Sequence, residues 1–288
     1  MAGFSIDAAL KSGFRLAKRE WKAVFAWGFG YVLVALAIQM LSIGPALPEY
    51  LQAVLEDPAA DTTAIQDQTP GSYFLFALPM MIVLSIGAAA VFYGAVARAM
   101  LRPEERGFFF LRLSKRELWV GLTSLTLGLA AVVAGLLITA VVSFLAGMAG
   151  GTDSGLLLWG ILLGLPAFVG FLYLAMRFSP AWVQAFAEER FVLVDAWRLT
   201  RGQGWRLVLM ALALVFLVLI ICVVVMIPAV IVGGVLLGVA GVAGGGSATV
   251  VAVLLLVFGV VFFSALYGFF LAVAAAPYVE VYRSLKAG

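Results

Sequence analysis

Residues 207–233 read "LVLMALALVFLVLIICVVVMIPAVIVG", and they decide the class of fold. About 20 apolar residues in helical form cross the hydrocarbon core of a bilayer. This run is longer than that and carries no charge. Reading onward, no charged residue appears until after Val279, and the only obvious break is the glycine-rich "GVAGGGS" at 241–247. Two helices sharing this run could tilt, kink at Pro228 or project beyond the bilayer.

The whole chain follows suit. Of 288 residues, 65% are hydrophobic and only 11% charged, with a mean hydropathy of +1.14. Soluble domains are about 45–50% apolar and about 25% charged, so a water-soluble fold could not cover this surface. Six stretches are long and apolar enough to span: 23–42, 72–97, 118–147, 156–176, 207–233 and 249–276. The expectation is an all-α integral membrane protein with six transmembrane helices in a single membrane domain, 1–288. A charged segment precedes the first span, whose apolar core is too long for a signal peptide, so it reads as uncleaved.

Charge sets the orientation. All 18 Lys and Arg residues fall before span one, between spans two and three, between four and five, or after six. The other three connections hold only acids (Glu49, Glu56, Asp57, Asp61 and Asp67 in the first, Asp153 in the second) or no charge. By the positive-inside rule both termini are cytoplasmic. The first outer loop, 43–71, is expected to hold a short helix near "PEYLQAVLED" followed by a solvated connection without calcium-ligand spacing.

A short pattern recurs where the chain enters from the basic side: "FRLAKREW" at 14–21, "LRLSKRELW" at 111–119 and "WRLTRGQGW" at 197–205. Each has Arg-Leu, a small residue, a second basic residue, and Trp shortly after. The departures are also alike, with Pro103, Pro180 and Pro277 placed to stop or bend the helix. The simplest account is three tandem units, 4–103, 104–180 and 181–288, each an amphipathic elbow helix followed by a two-helix hairpin. In the first elbow Ile6, Leu10, Phe14, Ala17 and Trp21 form an apolar stripe beside Asp7, Lys11, Arg15, Lys18 and Lys22, suited to the headgroup layer. In the third, Pro180 is placed to start a helix carrying Trp182 and Phe186. Asp195 is expected to pair with Arg198, and Gly202 and Gly204 to break the helix.

In a helix the two basic residues of each copy share a face. Arg15, Lys18, Arg112, Lys115, Arg198 and Arg201 are therefore candidates for binding lipid headgroups, with Trp21, Trp119 and Trp205 as interfacial anchors. The competing reading makes them the ordinary border of a multispan protein. The spans offer few polar groups, chiefly Gln39, Ser85, Thr123, Ser124, Thr126, Thr139, Ser143 and Ser264, and no ionisable residue at mid-span, which argues against proton-coupled transport. Glycines at 121, 128 and 135, at 160 and 164, and at 234 and 238 read as packing positions.

There is no histidine, and Cys222, the only cysteine, reads as a buried, inert thiol. Zinc sites and Cys/His catalysis are excluded, and no nucleotide-binding or nucleophile-elbow motif is present. No metal, no cofactor and no nucleic-acid partner is expected.

The stretches "RFSPAWVQAFAEERFVLVDAW" with "DAWRLTRGQGWRLVLMALAL", and "RAMLRPEERGFFFLRLSKREL", resemble the membrane domain associated with bacterial glycerophosphoryl diester phosphodiesterases and related multispan proteins. The likeness is best over 90–210. It implies an all-α protein of the bacterial inner membrane. The phosphodiesterase domain of such proteins needs catalytic histidines and a metal site, so that activity is not carried over to a chain without histidine. The favoured reading is a non-enzymatic protein that interacts with membrane phospholipid, anionic lipid being the candidate, or scaffolds a partner through a basic and aromatic cytoplasmic collar. The alternative is a transporter or flippase-like facilitator for a neutral or lipid-like solute. A protein partner or a second copy of the chain is left open.

Overall fold

The computed structural model describes residues 4–56, 71–148, 160–243 and 245–287, and every regular element among them is helical. Helix α1 (Ile6–Arg19) starts where Ser5 Oγ accepts the Ala8 N–H, with Asp7 in its first turn and Lys18 and Arg19 in its last. That charge order complements the helix dipole. Glu20 breaks the helix, and α2 (Trp21–Ile43) follows at once. Gly44, at φ +58°, ends α2, and a 3-10 turn leads to α3 (Leu47–Glu56), the short helix expected in the first outer loop. The rest of that loop, with Asp57, Asp61 and Asp67, lies outside the described residues, as does Asp153.

Helix α4 (Gly71–Leu101) runs through Pro79 and stops two residues before Pro103. A 3-10 turn at Phe108–Phe110 precedes α5 (Lys115–Met148). A π turn at Gly160–Gly164 opens α6 (Leu165–Phe178), and the short helices α7 (Ala181–Glu188) and α8 (Leu193–Leu199) follow. Two long helices close the chain, α9 (Gly204–Ala243) and α10 (Gly245–Ala287), uninterrupted at Pro228 and Pro277. Five helices among the described residues are long and apolar enough to cross a membrane: α2 with its extension, α4, α5, α9 and α10. The expected fourth span, 156–176, is described only from Gly160. There Gly160 and Gly164 flank the widened π turn and Pro166 opens a helix of 14 residues.

The three basic entrances do not share one local structure. The first is an amphipathic helix, α1. The second, 111–114, is an extended approach to α5, because Phe109 and Phe110 adopt φ of 49° and 62° and turn the chain too sharply for a helix. The third consists of α7 and α8 with a turn at Gly202 (φ +78°). On α1 the buried face is Ala9, Ser12, Gly13, Leu16 and Ala17. Phe14 and Trp21 of the expected apolar stripe stay exposed at its edge.

Packing centres on α2, α4 and α10, with α1 laid across α10, α5 joined to α4 and α7, and α9 held by α10 and α6. The closest approach uses glycines that spacing alone had not singled out. A Cβ on Gly28 would fall 1.7 Å from the Ser264 carbonyl oxygen, and one on Gly268 1.9 Å from that of Val24. Gly13 sits likewise on Val273. By contrast a Cβ on Gly128, Gly135, Gly164, Gly234 or Gly238 would meet nothing within 4 Å among the described residues, and one on Gly121 only Ala90 and Ile86. The main core (Leu16, Trp27, Phe92, Val96, Phe110, Val183, Ala276 and Val279 among others) gathers towards the basic end of the bundle. Away from it, Leu75, Phe76, Leu129, Leu136, Val224 and Val230 are largely exposed. Such continuous apolar exposure suits hydrocarbon rather than water. Cys222 is half-buried on α9, not enclosed.

Candidate functional site

Every basic stretch meets at one end of the bundle, around the last turn of α4. The final carbonyls of a helix have no partner within it. Here arginines supply them: Arg19 of α1 donates to Ala99 O at 2.8 Å, and Arg283 of α10 donates to Met100 O. Arg98, in the same turn, is 2% exposed and forms an ion pair with Glu117, itself 1% exposed. Its guanidinium also donates to Phe110 O and lies 5.5 Å from the Phe186 ring centre on α7.

Glu117 is held from the other side by Ser114, whose N–H donates to it at 2.9 Å and whose hydroxyl donates as well. This is a capping box: Ser114 precedes the first residue of α5, and the acid three residues on reaches back to its N–H. The left-handed turn at Phe109 and Phe110 directs two successive carbonyls inwards, one to Trp27 Nε1 at 2.7 Å and one to Arg98. Non-glycine residues adopt this conformation only when their surroundings over-determine it.

The network continues outwards. Arg116 joins Glu105 at 3.1 Å and Glu189 at 2.7 Å, and Glu105 also meets Arg102. Glu188 of α7 takes Arg190 and, across from α10, Lys286. Asp195 pairs with Arg190 at 2.8 Å rather than with the expected Arg198. At the end of α6, Arg177 donates to Trp197 O at 2.8 Å while its guanidinium lies 3.4 Å from the Trp197 ring centre. Thr200 Oγ1 donates back to the Arg177 carbonyl oxygen.

Burial opposes ionisation of Glu105, but hydrogen bonds from Arg102 and Arg116 outweigh it and hold its carboxyl below the usual 4.5. Glu188 is lowered in the same way by Arg190 and Gln184, against its burial. A carboxyl depressed in the folded state contributes stability that is complete above its ordinary value and is lost as pH falls through the lowered one. The thermal midpoint in detergent should therefore fall as pH drops below the carboxylate range, and fall less steeply in Glu105→Gln. Equal slopes for the two proteins would refute this.

The six candidate residues do not form one site. Arg112 and Lys115 line a polar pocket of about 290 Å³ with Arg98, Glu105, Ser114, Arg116 and Glu189. Arg15 lines a separate pocket with Arg19 and Arg283. Arg198 lies in the last turn of α8 and Arg201 in the turn that follows the helix, both exposed, so only Arg15 and Lys18 share a helix face as the spacing predicts. Lys18, Arg112, Lys115, Arg198 and Arg201 are all exposed and have no polar partner among the described residues, while Arg15 reaches only Ala8 O at 3.3 Å. Trp21 and Trp205 are exposed by 64% and 62%, as anchors would be, whereas Trp119 is half-buried. The sequence reading missed Arg98, Glu117, Arg177 and Arg283. For Glu117 a signal existed, the Ser-x-x-Glu of "SKRE".

Fold and collar together define an all-helical membrane protein knit at its basic end. Comparison with protein-family models, with curated proteins and with solved structures found no match.

Proposed function

We propose that this chain is a non-enzymatic, multi-pass protein of the bacterial inner membrane that binds phospholipid headgroups, anionic ones above all, through its basic collar. In this reading six spans form three elbow-and-hairpin units, both termini are cytoplasmic, and 160–178 is the inner part of the fourth span. One observation carries it. Most basic side chains at this end are held by carboxylates, ring faces or helix carbonyls, yet five of the entrance residues (Lys18, Arg112, Lys115, Arg198 and Arg201) have no partner among the described residues. Exposed cations beside exposed Trp21 and Trp205 match a headgroup layer of phosphate over carbonyl.

A second reading, a facilitator for a lipid-like solute, draws on the groove between α5 and α6. It measures about 760 Å³ and is lined by Leu127, Ala131, Phe171, Leu174 and Trp197 among others. Its apolar lining suits an acyl chain and not a sugar or an ion.

The test removes Arg112, Lys115, Arg198 and Arg201 together by substitution to Ala. Each cation near an anionic leaflet contributes about 1 kcal/mol, so co-purifying anionic lipid should fall by roughly tenfold or more with the fold intact. Unchanged lipid content would reject the collar reading. Lipid exchange between leaflets, faster in vesicles carrying this protein than in empty ones, would favour the facilitator.

A further inference from the structure

At two places an arginine on a departing helix is sealed by the entrance that follows it. Arg98 is closed by Glu117, which Ser114 holds, and the Arg177 guanidinium is closed by Trp197 O, while Thr200 ties the Arg177 backbone carbonyl to the same turn. Ser114 and Thr200 occupy the same place in the recurring pattern. The third departing arginine, Arg283, meets the first entrance instead, where that place is taken by Ala17, which has no hydroxyl. Here the arrangement stays open. A cavity of about 400 Å³ is lined by Ser12, Arg15, Arg19, Met100, Glu280 and Arg283.

We propose that this cavity binds a phosphate group carrying a primary ammonium two carbons away, the chemistry of a phosphatidylethanolamine headgroup. Three guanidiniums surround it, and none forms an ion pair with Glu280, whose carboxylate has no partner among the described residues. Arg19 and Arg283 each spend one nitrogen on a carbonyl of α4, Arg19 a second on Glu20 at 3.3 Å, and Arg15 one on Ala8 O, which fixes their guanidiniums and leaves further N–H groups to donate. Arginine forks bind phosphate oxygens in pairs. A phosphate alone would leave Glu280 facing a second anion, and a quaternary ammonium offers it no N–H. A primary ammonium satisfies it. The volume falls within the range of small-ligand sites. The site shares only Arg15 with the proposed collar and would stand if the other collar residues bound nothing.

The test is native mass spectrometry of the full chain in micelles, stripped of lipid. It is then titrated with phosphatidylethanolamine, phosphatidylglycerol or phosphatidylcholine, and separately with O-phosphoethanolamine. Measured in the four-residue collar variant, where the collar no longer retains anionic lipid, the ethanolamine lipid should be retained about fivefold over the other two, the scale of one exposed ion pair. Glu280→Gln, which breaks no contact within the protein, should abolish that preference. Arg15→Gln should weaken phosphatidylethanolamine and phosphatidylglycerol alike. Glu280-dependent binding of O-phosphoethanolamine would identify a soluble ligand, and its absence beside Glu280-dependent lipid binding would identify the headgroup. Both support the shared chemistry. No preference in the collar variant, or the same preference once Glu280→Gln is added to it, overturns it. Anionic lipid lost between the parent and the collar variant is read separately, so the two proposals fail separately.

Discussion

Gly28→Ala is expected to prevent recovery of folded protein. The added methyl would lie 1.7 Å from the Ser264 carbonyl oxygen and 2.5 Å from the Gly268 nitrogen, both backbone atoms of α10. No side chain can swing aside, so α2 and α10 must separate, and the packing around Trp27 and Ala272 opens with them. Overpacking a core usually costs about 1–3 kcal/mol, and a rigid backbone obstacle puts this case at or beyond the upper end. Gly268→Ala meets the Val24 carbonyl oxygen at 1.9 Å and should behave alike. Gly128→Ala, with nothing within 4 Å, should be neutral or slightly stabilising in its helix. The monodisperse fraction on size exclusion in mild detergent separates these outcomes. Normal yields of Gly28→Ala would mean that α2 and α10 do not touch in this way.

The second large effect is expected at Arg98 and Glu117. Removing one member of a buried ion pair strands the other charge, which costs about 3–5 kcal/mol. Glu117→Ala should therefore lower the thermal midpoint sharply, since it leaves the buried Arg98 with a carbonyl, an aromatic face and only the half-buried Glu105, 3.4 Å from its Nε. Arg98→Ala should do the same, and it also frees the left-handed turn at Phe109 and Phe110. The double variant Arg98→Met with Glu117→Leu strands no charge and should be clearly more stable than either single alanine variant. Additive losses in the double variant would show that the two residues act independently.

The hydrophobic runs of the sequence place α2, α4, α5, α9 and α10 to within a few residues at most ends, because water and hydrocarbon sort long apolar segments with little help from tertiary contacts. Helix ends are less legible. α4 reaches Leu101 because nothing in Val96–Leu101 stops a helix before Pro103, and α10 passes through Pro277. Glycine spacing picked out Gly128 and Gly135, which face open space, and passed over Gly28 and Gly268. A single chain's spacing does not say which helix lies opposite.

Charge was informative in bulk and silent in detail. Arg98 belongs to a basic segment like its neighbours, yet Glu117, Phe110 and Phe186 bury it, and those residues meet it only once the chain is folded. Arg112 and Lys115 belong to the same segment and remain exposed. Position along the chain does not separate the two groups.

Helix α9 has 40 residues, or roughly 60 Å of helix, and is uncharged from Leu207 onwards. Hydrocarbon occupies about 30 Å, and the whole bilayer with its headgroups about 40–45 Å. Even tilted by about 40°, the limit of common practice, α9 still rises about 46 Å. Crossing as a straight span, α9 would therefore outreach the headgroups with a far end that is still apolar. Lipid drawn up around such a tip must stretch, so longer acyl chains relieve the mismatch and shorter ones aggravate it. The thickness of the surrounding bilayer, rather than any bound molecule, then sets how much of that tip water reaches.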